Sequence, residues 1–294
     1  MAKVEKKVTK RASEAAPKTA EPQNLKNSPK ENPKNNPKNY VASVGKAFAV
    51  LKSFTSEAFE LTLSEVAARA DLDRGTAFRL IQTLIELGYL QAVPQSRRFR
   101  LGVACLDLGY TVLSHGSLRT IVEPLLRDLV PEAGDAASLG ILDGGDVIYL
   151  ARVSAGLDRY KMDRRPGTRI PAYSAALGHA MLAHLQREEQ IQRLESRPRV
   201  ELSERTLTDL DALLTRLDQV KKKGHALSDG ENAYGLRTLA TPILDAQGSV
   251  IAGLSVTVDA MRMDMPTFRD QALPKLMQLT GKVQELAIKS GLLS

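Results

Sequence analysis

Residues 62–101 read TLSEVAARADLDRGTAFRLIQTLIELGYLQAVPQSRRFRL. Thr62 and Glu65 stand three apart, the spacing of a capping box, so a helix is expected to start at Leu63 and to end near Ala70-Asp71. Asp73 has the chemistry to N-cap the next helix. In that second helix Ala77, Leu80, Ile81 and Leu84 recur at i, i+3, i+4 and i+7 and must face a core. Gly75, Phe78, Arg79 and Gln82 carry the same spacing on the opposite face. A glycine at the second helical position weakens the helix by up to ~1 kcal/mol against alanine. Close approach of the backbone to a phosphate at the helix N-terminus is one reason to keep it there.

Two short amphipathic helices joined by a turn also occur in all-α domains that never touch DNA, and the residues that follow decide between the readings. Tyr89–Gln91 and Phe99–Leu101 have the pattern of two short strands, with Val93–Ser96 as the turn. Arg97, Arg98 and Arg100 lie at the base and on the returning strand, placed to reach phosphates or a minor groove. A hairpin of this kind straight after a helix-turn-helix makes a winged helix-turn-helix, which sets its second helix in the major groove while the wing touches the adjacent backbone.

At 294 residues with 43% apolar content, the chain suits two domains with real cores. It has no run of eighteen apolar residues and no hydrophobic signal segment, so a cytoplasmic protein without membrane contact is expected. The single Cys105 excludes an intramolecular disulfide framework and a cysteine-based zinc finger. It is expected to pack as a small apolar group in a helix. The formal net charge is +7, but residues 1–40 hold ten Lys/Arg against four Glu, which leaves about +1 for the rest. The isoelectric point by itself therefore argues nothing about DNA. That tail, with SPKENPKNNPKN, is rich in Pro, Asn and Lys and is expected to be disordered. It either adds salt-sensitive, non-specific affinity for nucleic acid or serves as a solubilising extension. Deleting residues 1–38 and measuring the salt dependence of DNA affinity separates the two.

Val44, Ala47, Phe48, Leu51 and Phe54 form a helical stripe for a first helix, with Ser43 as its N-cap. Ser43-Val-Gly-Lys46 has the Ser-x-x-Lys spacing of some acyl-enzymes, but the companion motifs are missing. After the wing, a linker helix is expected from Val103 to about His115, and another helix from Leu118 through Leu129. Ala136–Leu142 and Val147–Val153 read as strands joined by the Asp143-Gly-Gly-Asp146 hairpin. A third strand is expected over Asp158–Asp163, and a small-residue helix over Ser174–His184. Helices at Arg187–Glu195 and Thr206–Lys223 follow. Next come strands at His225–Ser228, Leu236–Ile243 and Val250–Val258, then a final helix from Thr267. The order predicts an α+β domain on a largely antiparallel sheet. The expected domains are the tail at 1–40, the winged helix-turn-helix at 41–101, the linker at 102–116 and an effector-binding and oligomerisation domain at 117–294.

No phosphate-binding glycine loop, G-x-S-x-G or His-Glu-x-x-His is present, so neither an enzyme nor a cofactor is expected. His179 and His184 would lie about 140° apart on one helix, too far round for a shared metal, and read as partly buried or surface groups. Binding is the better reading. Ser174-Ala-Ala-Leu-Gly178 at a helix start offers N–H groups with little bulk above them, suited to a carboxylate. Arg237 in Gly235-Leu-Arg-Thr238 can grip a carboxylate with two parallel bonds. Tight packing on a sheet explains the small-residue helix equally well, and an ion pair with Asp229 or Glu231 explains Arg237 equally well.

The order of helix-turn-helix, wing, linker helix and α+β domain resembles the IclR family of bacterial transcriptional regulators, from Val41 to the C-terminus. The marks are LTLSEVAARADL, FRLIQTLIELGYL, RRFRLG, LDGGDVIYLARV, IPAYSAALGHAMLA and YGLRTLATPI. LTLSEVA and the Pro-Ala-Tyr form of the central motif look like the branch that controls aromatic-acid catabolism, including protocatechuate, 4-hydroxybenzoate and β-ketoadipate pathway genes. Another carbon-source pathway is the alternative.

The resemblance implies homodimers or homotetramers on palindromic sites in double-stranded DNA, and a GAF-like effector domain holding a small organic acid. It implies a DNA face of Arg74, Gly75, Thr76, Phe78 and Arg79, with Arg97 and Arg98 on the wing; Gln82 joins that face by its spacing. In the effector domain it implies Ala176, Leu177, Ser228 and Thr238, beside Ser174 and Arg237 from the residue reading. Asp71 stands where the family usually has glycine, and aspartate tolerates the left-handed backbone better than most residues. Some relatives carry aspartate at the position of Ser228 and cysteine at that of Thr238, so a different effector is expected here. Arg164–Arg169 adds positive charge beside the pocket or forms an exposed loop. Ligand would act by shifting the population of oligomer arrangements that space the recognition helices.

Overall fold

The computed structural model describes residues 40–114, 117–157, 160 and 164–289. Apart from Tyr40, the basic tail lies outside the described residues, as does the strand expected over Asp158–Asp163 apart from Tyr160. The chain divides into two compact units between Leu108 and Gly109.

The first unit holds α1 (Ala42–Lys52), β1 (Leu61–Thr62), α2 (Leu63–Arg69), α3 (Arg74–Glu86), β2 (Leu90–Ala92), β3 (Arg98–Leu101) and the start of α4 (Ala104–Ser114). The capping box forms: the Thr62 hydroxyl accepts from the Glu65 N–H, and the Glu65 carboxylate accepts from the Thr62 N–H at 2.7 Å. Helix α2 stops because Asp71 takes a left-handed backbone, φ 54°, which lets the Leu72 N–H close on the Ala67 carbonyl at 2.9 Å. Asp73 then caps α3 by accepting from the Thr76 N–H at 2.8 Å. Val50, Val66, Ile81, Leu84 and Leu90 are buried together, each side chain contributing roughly 1.5–3 kcal/mol of transfer free energy. Strand β3 lies between β1 and β2, pairing Thr62 with Arg98 and Gln91 with Arg100.

Two details of α1 differ from expectation. The helix begins at Ala42, with Val41 in the capping position and no side-chain cap, because the Val44 and Gly45 N–H groups both close on the Val41 carbonyl. Ser43 is inside the first turn. The buried stripe runs through Val50 and Phe54, which leaves Val44 and Phe48 about half exposed on a neighbouring face. Cys105 packs in α4, half-buried, with its thiol against the Tyr89 carbonyl.

The second unit contains α5 (Ser117–Ala133), β4 (Ala136–Asp143), β5 (Asp146–Ser154), β6 (Arg169–Pro171), α6 (Ala176–Leu182), α7 (Arg187–Glu195), α8 (Leu210–Lys223), β7 (Ala226–Asp229), β8 (Leu236–Leu244), β9 (Val250–Asp259) and α9 (Met265–Lys289). The strands make one antiparallel sheet in the order β6-β5-β4-β9-β8-β7. Gly144, at φ 57°, makes the two-residue β4–β5 turn with Gly145. Strand alternation sends Ala137, Leu139, Leu254 and Val256 into a core with α5 and α9. Tyr149, Ala226 and Ala240 face a second core with α6 and α8.

The small-residue helix is shorter than its composition suggests. A 3₁₀ turn covers Ala172–Ser174, Ala175 is extended, and α6 starts only at Ala176, so Ser174 sits before the helix and His184 beyond it. Tight packing accounts for the glycines. A Cβ on Gly178 would stand 2.2 Å from the Ala172 carbonyl oxygen, and those on Gly140 and Gly253 would meet Leu177 within 3 Å. Helix α8 starts at Leu210, with Asp209 capping the Ala212 N–H. Thr206 is drawn away to the Glu231 carbonyl, which its hydroxyl reaches at 2.6 Å. The edge strand β6 was not expected; Pro171 is tolerated there because an edge position needs no further donor.

Candidate functional site

Helix α3 has two chemically distinct faces. Ala77, Ile81 and Leu84 are buried and Leu80 half-buried, while Arg74, Gly75, Phe78, Arg79 and Gln82 are exposed and Thr76 is half-buried. Neither Arg74 nor Arg79 has an acidic partner within 4 Å among the described residues. The helix therefore presents two uncommitted guanidinium groups and a half-exposed aromatic ring from one turn to the next. A Cβ on Gly75 would stand 3.3 Å from the Asp73 carboxylate, a tight contact that a shift of the exposed capping side chain relieves. Hydrogen bonds from Thr76, followed by the Gly75 N–H and the Arg79 charge, hold the Asp73 carboxyl below its usual pKa. The helix start is thus already occupied by an internal anion.

On the wing Arg97 and Arg100 are exposed and uncommitted among the described residues. Arg98 is engaged: it donates to the Glu60 carbonyl at 2.9 Å and lies 3.5 Å from the Glu65 carboxylate. The Thr62 N–H and hydroxyl, with smaller contributions from Arg98 and Arg69, hold Glu65 below the ordinary glutamate pKa. Arg98 thus ties the wing to the start of α2 through an exposed, salt-sensitive pair.

The effector candidates fall on both faces of the sheet. Ser228 pairs with Thr238 and Thr238 with Thr257, so these three side chains share the α6 face, with the Thr238 and Thr257 hydroxyls 3.0 Å apart. Arg237, one residue away, points to the opposite face. There its Nε reaches Asp229 at 3.0 Å and its Nη1 the carbonyls of Ala260 at 2.8 Å and Met263 at 2.6 Å. Asp229 also pairs with Arg205. Arg237, Asp229, Arg205, Tyr160, Tyr234 and Met261 border a cleft of about 510 Å³. The geometry does not bring Arg237 together with Ser228 and Thr238.

Ser174 is fully buried, donates to the Pro171 carbonyl and accepts from Asn232 Nδ2 at 2.9 Å; Asn232 in turn accepts from Arg164 at 2.7 Å. Ala176 and Leu177 are buried, Leu177 against the Gly140–Gly253 row. Arg169, at the end of the basic segment, is exposed and pairs with Asp143. His179 is wholly buried rather than partly so, with Nε2 2.6 Å from the Tyr173 carbonyl and Nδ1 unpartnered. Burial lowers its pKa, the nearby Glu231 opposing, which keeps the imidazole neutral. Among the described residues no group of three or more His, Cys, Asp or Glu could hold a metal ion.

Sequence reasoning missed Arg152. Between Leu139 and Gly140 the β4–β5 register shifts, and Leu150 is the extra residue on β5. The bulge puts Tyr149 and Arg152, three apart, on the same face, with the guanidinium 5.7 Å from the ring centroid. Arg152 donates to Ser138 Oγ at 2.8 Å. Only the pairing register reveals this placement, since strict alternation would send one of the two residues to the other face.

The region 43–94 matches the IclR helix-turn-helix domain, and 110–285 matches the bacterial transcriptional regulator IclR C-terminal domain. The HTH-type transcriptional regulator KdgR of Escherichia coli K12 is 33% identical over 76% of this chain and 84% of its own length. The p-hydroxybenzoate hydroxylase transcriptional activator of Acinetobacter baylyi is 30% identical over 84% of this chain and 92% of its own. A crystal structure of a transcriptional regulator from Rhodococcus sp. RHA1 superposes with TM-score 0.68 at 34% identity, covering 84% of this chain and 98% of that one. No helix among the described residues is long and apolar enough to cross a membrane.

Proposed function

The chain belongs to the IclR family of bacterial transcriptional regulators, which are not enzymes, and from that premise we propose that it controls aromatic-acid catabolic genes in response to a small carboxylate. The target is a palindromic promoter site, bound by a homodimer or homotetramer through Arg74, Gly75, Thr76, Phe78, Arg79 and Gln82, with Arg97 and Arg98 of the wing on the backbone. The observation that carries the DNA face is the pair Arg74 and Arg79, exposed and with no acidic partner within 4 Å among the described residues, on a helix whose other side is core. The likeness to an activator named for p-hydroxybenzoate hydroxylase supports an aromatic acid as effector. The effector lies on the α6 face, beside Ser174, Ser228 and Thr238 and the start of α6 at Ala176 and Leu177.

Arg79→Ala tests the DNA face. Footprinting on the region upstream of the neighbouring genes should lose its protected site, while effector-induced thermal shifts persist. Retained protection would remove α3 from the interface. A panel of hydroxybenzoates, protocatechuate and sugar acids, scored by change in operator affinity, tests the effector class. A response confined to sugar acids transfers the protein to another carbon source, a reading that the likeness to KdgR favours.

A further inference from the structure

Arg152 is a largely buried cation with no acidic partner within 4 Å among the described residues. Its one side-chain hydrogen bond goes to Ser138 Oγ, although a guanidinium offers five donors. Desolvation lowers its pKa, Tyr149 opposes that shift, and the charge of Arg164 adds to it. Burying an unpaired charge is costly, and a fold does not retain it without a counter-charge from somewhere.

The wall around it is built from hydroxyls. The pairings Arg152–Ser138–Ser255 and Thr257–Thr238–Ser228 form two neighbouring rows on the α6 face. Ser138, Ser255, Thr257 and Ser228 are buried and Thr238 half-buried. No carboxylate stands in either row, so the rows themselves supply nothing to neutralise the guanidinium. A ligand with one planar, singly charged group suits a lone guanidinium fork flanked by hydroxyls.

We infer that Arg152, with Ser138 beside it, anchors the carboxylate of the effector and sets the requirement for a charged acid over its neutral analogue. This deepens the effector assignment above and rests on it. The bulge at Leu150 is what turns the anchor inward.

Thermal denaturation of the full-length protein and of Arg152→Met tests the assignment, with acetate, pyruvate, benzoate, gluconate, inorganic phosphate and the neutral benzamide as probes. Ligand-free Arg152→Met should melt at or above the wild type, because a largely buried charge with no acidic partner among the described residues, held by Ser138 and the Tyr149 ring alone, has been replaced by an apolar chain. At least one of the four carboxylates should raise the wild-type melting temperature, and benzoate should bind about tenfold to a hundredfold tighter than benzamide if it is that one. The shift should vanish in Arg152→Met and partly return in Arg152→Lys.

A variant melting several degrees below the wild type makes Arg152 structural and overturns the inference. So does the absence of any carboxylate shift in the wild type, an equal shift in the variant, or a response to phosphate alone. Operator affinity with and without the active carboxylate separates the two levels. Binding through Arg152 without a change in DNA affinity refutes the effector role and leaves the anchor, whereas an undiminished DNA response in Arg152→Met refutes the anchor and leaves the effector role.

Discussion

Replacing Gly178 with alanine sets two known effects against each other at one position. Within a helix interior the change is worth up to about 1 kcal/mol in favour of alanine. The new methyl, however, would stand 2.2 Å from the Ala172 carbonyl oxygen, 2.5 Å from its Cα and 2.7 Å from its carbonyl carbon. All three are backbone atoms of the 3₁₀ turn, so no side chain can swing aside, and the turn must retreat by roughly an ångström to restore contact distance. Overpacking of this kind costs typically 1–3 kcal/mol and occasionally more, which outweighs the propensity gain. A domain of 150–250 residues loses about 2–4 °C in melting temperature per kcal/mol, so at the upper end of that cost, a net loss of about 2 kcal/mol, calorimetry should register a fall of roughly 4–8 °C. Because Ser174 belongs to that turn and holds Asn232, effector affinity should fall with it. An unchanged or higher melting temperature would show that α6 is not seated on Ala172 and would refute the packing argument.

Arg237→Ala removes the donor shared by Asp229 and the carbonyls of Ala260 and Met263; a loss of about 1–3 kcal/mol is expected in urea unfolding, and a stability-neutral variant with weakened effector binding would return Arg237 to the ligand. His179 is held neutral in the fold, its pKa lowered by burial, whereas an unfolded histidine titrates near 6.5. Below about pH 6.5 the unfolded chain takes up a proton that the native state refuses, so stability is lost at about 1.4 kcal/mol per pH unit until the folded pKa is reached. His179→Gln should remove that part of the slope below about pH 6.5, and an identical slope would contradict the buried, neutral assignment. Asp71→Val, placing a β-branched residue at φ 54°, should cost the first unit roughly 1–2 kcal/mol, with Asp71→Gly at or above wild-type stability; equal midpoints for all three would remove the turn's conformational demand.

The helix-turn-helix was legible because its signals are local. Thr62, Glu65 and Asp73 act within three residues of themselves, and the four apolar positions of α3 form a helical stripe whichever partner they meet. The Gly-Gly hairpin and the capped start of α2 were readable for the same reason. What failed depends on distance in the chain. Ser174 reads as a helix start until Ala175 is found extended, held by the packing of α6 against the sheet. Thr206 reads as part of a helix until its hydroxyl finds the Glu231 carbonyl. The edge strand β6 is three residues long, too short for a period. Arg237 and Thr238 are neighbours in sequence and so read as one site, but the pleat sends them to opposite faces. Arg152 was missed because one extra residue on β5 undoes simple alternation.

The same extra residue bears on how occupancy is transmitted. The sheet is a partition: hydroxyl rows on one side, the α5 and α9 interior on the other. Arg152 lies on the first side, while Ala151 is buried in the second interior and Leu150 and Val153 pack against it, in company with Val122 and Leu126 of α5. A pull on the guanidinium cannot be absorbed by that side chain alone, because the adjoining residues of its own strand are gripped by α5. Strand β5 thereby joins the two sides within three residues, its guanidinium among the hydroxyls and its apolar neighbours in the α5–α9 interior.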